Sequence, residues 1–175
     1  MRKLKSHEMQ RLSPEAFQVS KKIPLVMVLD NVRSMHNVGA AFRIADAFLV
    51  EKLYLCGITA TPPHREIHKT ALGAEEHVAW EQMQDTLAVI KHLKRIGYRV
   101  IAVEQTNASE ALHVFTWSAT QKYAVVFGHE VFGIQEAVLS ACDMCLAIPQ
   151  HGVKHSLNVS VSMGIVVWEL AKGTQ

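Results

Sequence analysis

Short apolar runs separated by longer polar and amphipathic stretches recur along this chain. Residues 25–29, 52–56, 99–103, 123–127 and 144–148 are such runs, and 77–81 is a weaker one. Near-continuous apolar segments of this length suit strands covered on both faces. Helical periodicity falls between most of them. Residues 85–96 place Leu87, Ile90, Leu93 and Ile96 three apart, with Gly97 as a stop. Residues 37–49 carry Val38, Ala41, Phe42, Ala45, Phe48 and Leu49 on one stripe. Ser13-Pro14-Glu15 puts a capping residue and a proline where a helix begins. Alternating strands and helices predict an α/β fold with an open, mostly parallel sheet flanked by helices. Residues 107–120 are the least regular stretch and are expected to loop over the surface.

The last thirty residues combine a strand, a polar elbow at 150–158 and an apolar helix at 159–170. That order puts the elbow at the carboxyl end of a sheet strand, where open α/β folds bind ligands. Ser156 and Asn158 are placed to cap the helix, and an ordinary capped loop is the competing reading. The helix has two apolar stripes, Val159, Met163, Val166 and Leu170, and Val161, Ile165 and Trp168. A helix apolar on two sides is buried on two sides, one against the core and the other against a second subunit or elsewhere in the same domain.

Composition narrows the class. With 175 residues, 49% hydrophobic and 19% charged, the chain suits one globular domain. No apolar run reaches the ~20 residues of a membrane helix. The charged start Met1-Arg2-Lys3-Leu4-Lys5 has no apolar region after it and does not read as a secretory signal. Three cysteines without disulfide spacing suit a reducing, cytoplasmic setting. Cys142-Asp143-Met144-Cys145 is a lone C-x-x-C ahead of its strand, which favours packed thiols over a redox or metal site. His64 and His68 are four apart with no third ligand evident, so no metal site is expected. Residues 1–22 carry net +4 and the remainder −2, so the arm is basic and the body near neutral. That asymmetry fits either contact with nucleic acid or a solubilising surface.

Neither the G-x-G-x-x-G fingerprint nor a P-loop is present, which argues against the usual nicotinamide enzymes, NTPases and Gly-rich-loop methyltransferases. Three other segments are informative. Asn37-Val38-Gly39-Ala40-Ala41-Phe42-Arg43 follows the first strand. Gly128-His129-Glu130-Val131-Phe132-Gly133 follows the run at 123–127. The third comprises Ile148-Pro149, Gly152 and Ser156-Leu157-Asn158-Val159-Ser160. In order and separation they resemble the three motifs of the SpoU/TrmH family of RNA ribose 2′-O-methyltransferases, within the SPOUT superfamily, over roughly residues 24–171. The resemblance implies a methyltransferase domain at 23–175 with a C-terminal trefoil knot, preceded by a partly helical arm at 1–22. General chain topology predicts no knot, and nothing in the residue pattern shows one. The family further implies S-adenosylmethionine as cofactor, an RNA substrate and a homodimer. With only a short arm ahead of the domain, tRNA is favoured over rRNA. A SPOUT-like module that holds RNA without catalysis is the alternative, as is an α/β enzyme acting on a small nucleotide.

Carried over by position, Arg43, Asn37, Glu130, Ser156 and Asn158 form the catalytic set. Gly128, Ile148 and Leu157 contact the cofactor, largely through backbone groups, and Glu104 lines the same pocket. Taken without the family, Arg43 would be a surface arginine paired with Asp46, Asn37 a helix cap, and Glu130 an acid in the first turn of a helix. Ile148 and Leu157 would be core. His129 and Gln150 depart from the family's usual residues, and His129 bears on substrate fit.

Overall fold

The computed structural model describes residues 1–5, 8–9, 11–118 and 120–172. Seven strands, β1 (Ile23–Asp30), β2 (Val50–Cys56), β3 (Trp80–Met83), β4 (Tyr98–Val103), β5 (Glu110–Ala111), β6 (Lys122–Phe127) and β7 (Met144–Ala147), form one sheet. Their order is β3-β2-β1-β6-β4-β7-β5, and every pairing is parallel. Among the described residues six α-helices accompany them, the first ahead of β1 and the last after β7: α1 (Pro14–Val19), α2 (Met35–Ala47), α3 (Arg65–Ala71), α4 (Thr86–Arg95), α5 (Glu136–Ala141) and α6 (Val159–Ala171).

The alternation along β1 explains why its apolar run is continuous. Leu25, Met27 and Leu29 enter one core with residues of α1, α2, α3 and α6. Val26 and Val28 enter a second with residues of α4 and α5. Both faces are covered, as parallel sheets require. The amphipathic α4 begins and ends where the sequence places it. Asp85 caps it by accepting from the Leu87 N–H at 2.9 Å, and Gly97 follows with φ +88°.

Three expectations shift. The weak strand at 77–81 is displaced to β3, because residues 74–76 form a 3₁₀ turn that Val78 anchors by burial instead of pairing. The stretch 107–120 is not merely a surface loop. It contributes β5 at the sheet edge beside β7, buries Leu112, and stacks Trp117 on Tyr123 at 4.0 Å. Asn37 does not cap α2; Ser34 does, accepting from the Asn37 N–H at 3.5 Å. The expected cap at Ser13 is present, accepting from Ala16 N–H at 3.2 Å, and α1 docks on the body through buried Phe17. No helix among the described residues is long and apolar enough to cross a membrane.

Chain order and strand order diverge at one edge. After β4 the chain runs outward to β5, returns to the centre as β6, and later inserts β7 between β4 and β5. The loops after β4 and β7 meet there, with Gln105 Nε2 donating to the His155 carbonyl at 3.0 Å.

Candidate active site

Beyond the carboxyl ends of β4, β6 and β7 the loops enclose a cleft. Glu104, Gly128, Glu130, Ile148, Ser156 and Leu157 line it, together with His129, Gly133 and Gln150. Parallel strands bring the ends of segments far apart in sequence to one rim, which is why these residues converge.

The loop after β6 turns back on itself. His129 and Gly133 exchange backbone hydrogen bonds of 3.0 and 2.9 Å. The fold of the turn needs glycine at both ends. A methyl group at Gly128 would sit 2.3 Å from the Gly133 carbonyl carbon, and Gly133 has φ +67°. Glu104 braces this turn, its Oε2 accepting from the Ile134 N–H at 3.2 Å and its Oε1 from the Gln105 N–H at 2.9 Å.

Glu130 joins that loop to the start of α2. Its Oε1 accepts from Asn37 Nδ2 and from the Ser34 N–H, each at 2.8 Å, and its Oε2 accepts from the Arg33 N–H at 3.0 Å. Burial pushes this carboxyl up, but the bonds from Asn37, Ser34 and Arg33 outweigh it and hold the group below the usual carboxylate range. Asn37 is 7% exposed. The structure thus brings together two members of the expected catalytic set that lie 93 positions apart. Glu130 therefore acts from outside α5, not as a first-turn acid of that helix.

Asn158 caps α6, its Oδ1 accepting from Ser160 N–H at 2.8 Å and from Ser160 Oγ at 2.6 Å. Ser156 does not cap the helix and opens on the cleft. Ile148 is half-buried and Leu157 exposed, so neither is plain core. Arg43 stands apart. It lines grooves between α1 and α2 and beside α3, away from the cleft. It is exposed and makes no hydrogen bond or ion pair among the described residues. The expected pairing with Asp46 is absent because His77 Nε2 holds Asp46 at 2.8 Å.

Sequence reasoning missed Asp30. At the end of β1 and 1% exposed, it accepts from Thr86 Oγ1 at 2.6 Å and from Asn31 Nδ2 at 2.9 Å. A lone acid closing an apolar strand was the available signal.

The cysteines do not converge on one site. Cys142 donates to the Val138 carbonyl and Cys145 to that of Glu104, each at 3.3 Å. Burial pushes the Cys56 and Cys142 thiols up to about 12, so neither is a thiolate at neutral pH. The fold places Glu75 and Glu76, from the 3₁₀ turn, beside His68, giving three potential ligand atoms within 4.8 Å. This is a grouping the sequence spacing did not reveal. Within it His68 Nδ1 lies 2.5 Å from Glu75 Oε1, while His64 caps α3.

Residues 24–168 match the SpoU rRNA methylase family. The chain is 35% identical over 150 residues to the 23S rRNA (guanosine-2′-O-)-methyltransferase RlmB of Nitrosomonas europaea, covering 83% of this chain and 55% of that protein. It therefore spans little more than half the length of that relative. Among solved structures it resembles the A. aeolicus TrmH/SpoU tRNA modifying enzyme at 25% identity and TM-score 0.79, covering 91% of this chain and 79% of that one. The fold also resembles that of an AdoMet-bound rRNA methyltransferase from Sinorhizobium meliloti, with TM-score 0.81 at 21% identity, covering 96% and 63% of the two chains.

Proposed function

The chain belongs to the SpoU rRNA methylase family, and we propose that it is an S-adenosylmethionine-dependent methyltransferase acting on a ribose 2′-hydroxyl of RNA. The observation that carries this reading is the cleft, where six of the nine expected site residues share one rim and Glu130 ties in a seventh, Asn37.

The cleft suits the cofactor. Gly128 lines it at the base of the tightly closed turn, and Ile148 and Leu157 add apolar surface to its rim. Gly128, Ile148 and Leu157 would hold the adenosyl portion, with Glu104 lining the same pocket and bracing the turn that carries Gly128. When bound, S-adenosylmethionine supplies a methyl group on a sulfonium, already a good leaving group. The work left to the chain is to align the acceptor oxygen and assist loss of its proton. A guanidinium keeps its own proton, so Arg43 orients the RNA phosphate and stabilises the developing alkoxide. Asn37 and Glu130 set the entry of α2, and Ser156 and Asn158 shape the elbow that faces the RNA.

Arg43 does not line the cleft of its own chain, and a homodimer accounts for this. Val161, Ile165 and Trp168 are 37–56% exposed on α6, an apolar stripe beside α2, where Trp168 meets Phe48 at 5.9 Å. Pairing two copies through this stripe would offer Arg43 to the partner's cleft. We also take the segment after β7 to thread the loop between β4 and β6 as a knot, and residues 1–22 to form an arm that contacts RNA phosphates. Cytoplasmic RNA is the substrate. The RlmB relative is named for 23S rRNA and the A. aeolicus enzyme for tRNA modification, so both RNAs are candidate substrates.

The test is calorimetry with S-adenosylhomocysteine, followed by methylation of unmodified tRNA and 23S rRNA transcripts with mapping of 2′-O-methyl positions. Absence of binding at millimolar ligand would overturn the cofactor assignment. Binding without transfer to any transcript would leave the non-catalytic reading.

A further inference from the structure

Phe132 occupies the tip of the turn between His129 and Gly133, and 83% of it is exposed. A phenylalanine left in water forgoes the free energy of its own burial, and Val131 beside it is 77% exposed, so the tip presents two apolar side chains to solvent. The turn around it is not loose. Beyond the paired backbone bonds at its base, His129 Nδ1 accepts from the Val131 N–H at 3.0 Å and from the Phe132 N–H at 3.4 Å. The two rings lean together, with centroids 4.9 Å apart at 36°. The phenyl ring is thereby backed by an imidazole and presented on a fixed stem.

Its place is equally specific. His129, Glu130, Val131 and Gly133 all line the cleft, so Phe132 stands at its mouth. The segment before α2 reaches the same turn, where the Arg33 backbone N–H is held by Glu130. The Arg33 side chain is exposed and has no hydrogen bond or ion pair among the described residues. An exposed aromatic ring and an uncommitted cation on neighbouring loops are groups suited to an unstacked nucleotide, the ring taking the base and the cation the phosphate.

We propose that Phe132, backed by His129, is the stacking platform for the base of the nucleotide whose ribose enters the cleft. This rests on the RNA reading above. The reacting oxygen is on C2′ and the base on the adjacent C1′, so a ribose in the cleft must carry its base to the rim. A second copy of the chain is the rival occupant. The apolar stripe suited to a copy lies on α6, a different element, and Phe132 is no part of it.

The experiment uses the full chain and the transcript that the wild type methylates. Phe132→Ala should raise KM for RNA about tenfold or more, the size of one lost base–aromatic stack. Affinity for S-adenosylhomocysteine and the sedimentation of the protein should stay as in the wild type. Phe132→Trp should retain a low KM, because stacking needs only a π face, and Phe132→Leu should behave as Phe132→Ala. Unchanged KM in Phe132→Ala overturns the platform. So does a Leu variant as good as the wild type, or an Ala variant that sediments as a smaller species, since both indicate contact with another protein copy. A wild type inactive on every transcript overturns the RNA reading as well, which separates the two failures.

Discussion

Replacing Glu130 by Gln probes the join between the loop after β6 and the start of α2. The native carboxylate accepts three hydrogen bonds, from the N–H groups of Ser34 and Arg33 and from Asn37 Nδ2, at 2.8–3.0 Å. Glutamine keeps one oxygen. Its amide nitrogen must face an N–H, so at least one bond is lost, and with it the charge favoured near a helix N-terminus. A hydrogen bond to a charged group contributes about 1.5–3 kcal/mol and a helix-terminal charge about 0.3–1 kcal/mol. The variant should therefore be about 2–4 kcal/mol less stable at pH 7. At ~2–4 °C per kcal/mol for a domain of this length, Tm should fall by about 4–16 °C. The sign with pH follows from the depressed carboxyl. Its folded value lies below the ordinary value, near 4.3 in the unfolded chain. Its contribution is complete above that value and is lost as pH falls through the lower folded one. Urea unfolding of wild type and Glu130→Gln from pH 7 down to pH 2 should show a gap that narrows only below about pH 4. A double-mutant cycle with Asn37→Ala should give a coupling of about 0.5–3 kcal/mol. Equal midpoints at pH 7, or a gap that persists unchanged in acid, would refute the argument.

Arg43→Ala should lower methyl transfer about 100-fold or more, as loss of a transition-state donor does, without changing Tm or S-adenosylhomocysteine affinity; full activity would remove Arg43 from the mechanism. Arg43→Lys should also be poor, since a point charge does not reproduce the planar fork. Gly128→Ala puts a methyl group 2.3–2.5 Å from the backbone of Gly133 and Ile134, so the turn must move. Stability should fall by about 1–3 kcal/mol, and calorimetry should show S-adenosylhomocysteine binding weakened or lost. Ile165→Glu sets a carboxylate in the exposed stripe of α6. Sedimentation should show a dimer for the wild type and a folded monomer for the variant, because an unpaired charge is costly in an apolar contact. A monomeric wild type at micromolar concentration would contradict that interface.

What local sequence determined was whatever depends on neighbours in the chain. Strand β1 is legible because both of its faces are covered, so its apolar run is unbroken. Helix α4 is legible because Asp85, the three-residue apolar spacing and Gly97 agree. Most of the expected cleft residues were legible through the second and third motifs, which follow β6 and β7, while Glu104 lies outside them. Tertiary structure decided the rest. Two residues of β5 gain their strand character only from pairing with β7, and β7 takes its place between β4 and β5 by a chain path that no local pattern encodes. Asn37 reads as a cap until Glu130 claims its side chain from 93 positions away, and Arg43 reads as a partner of Asp46 until His77 takes that carboxylate. Hydrogen-bonding groups have several partners within reach in sequence. The fold selects among them by bringing together distant groups whose bonds are stronger where water is excluded.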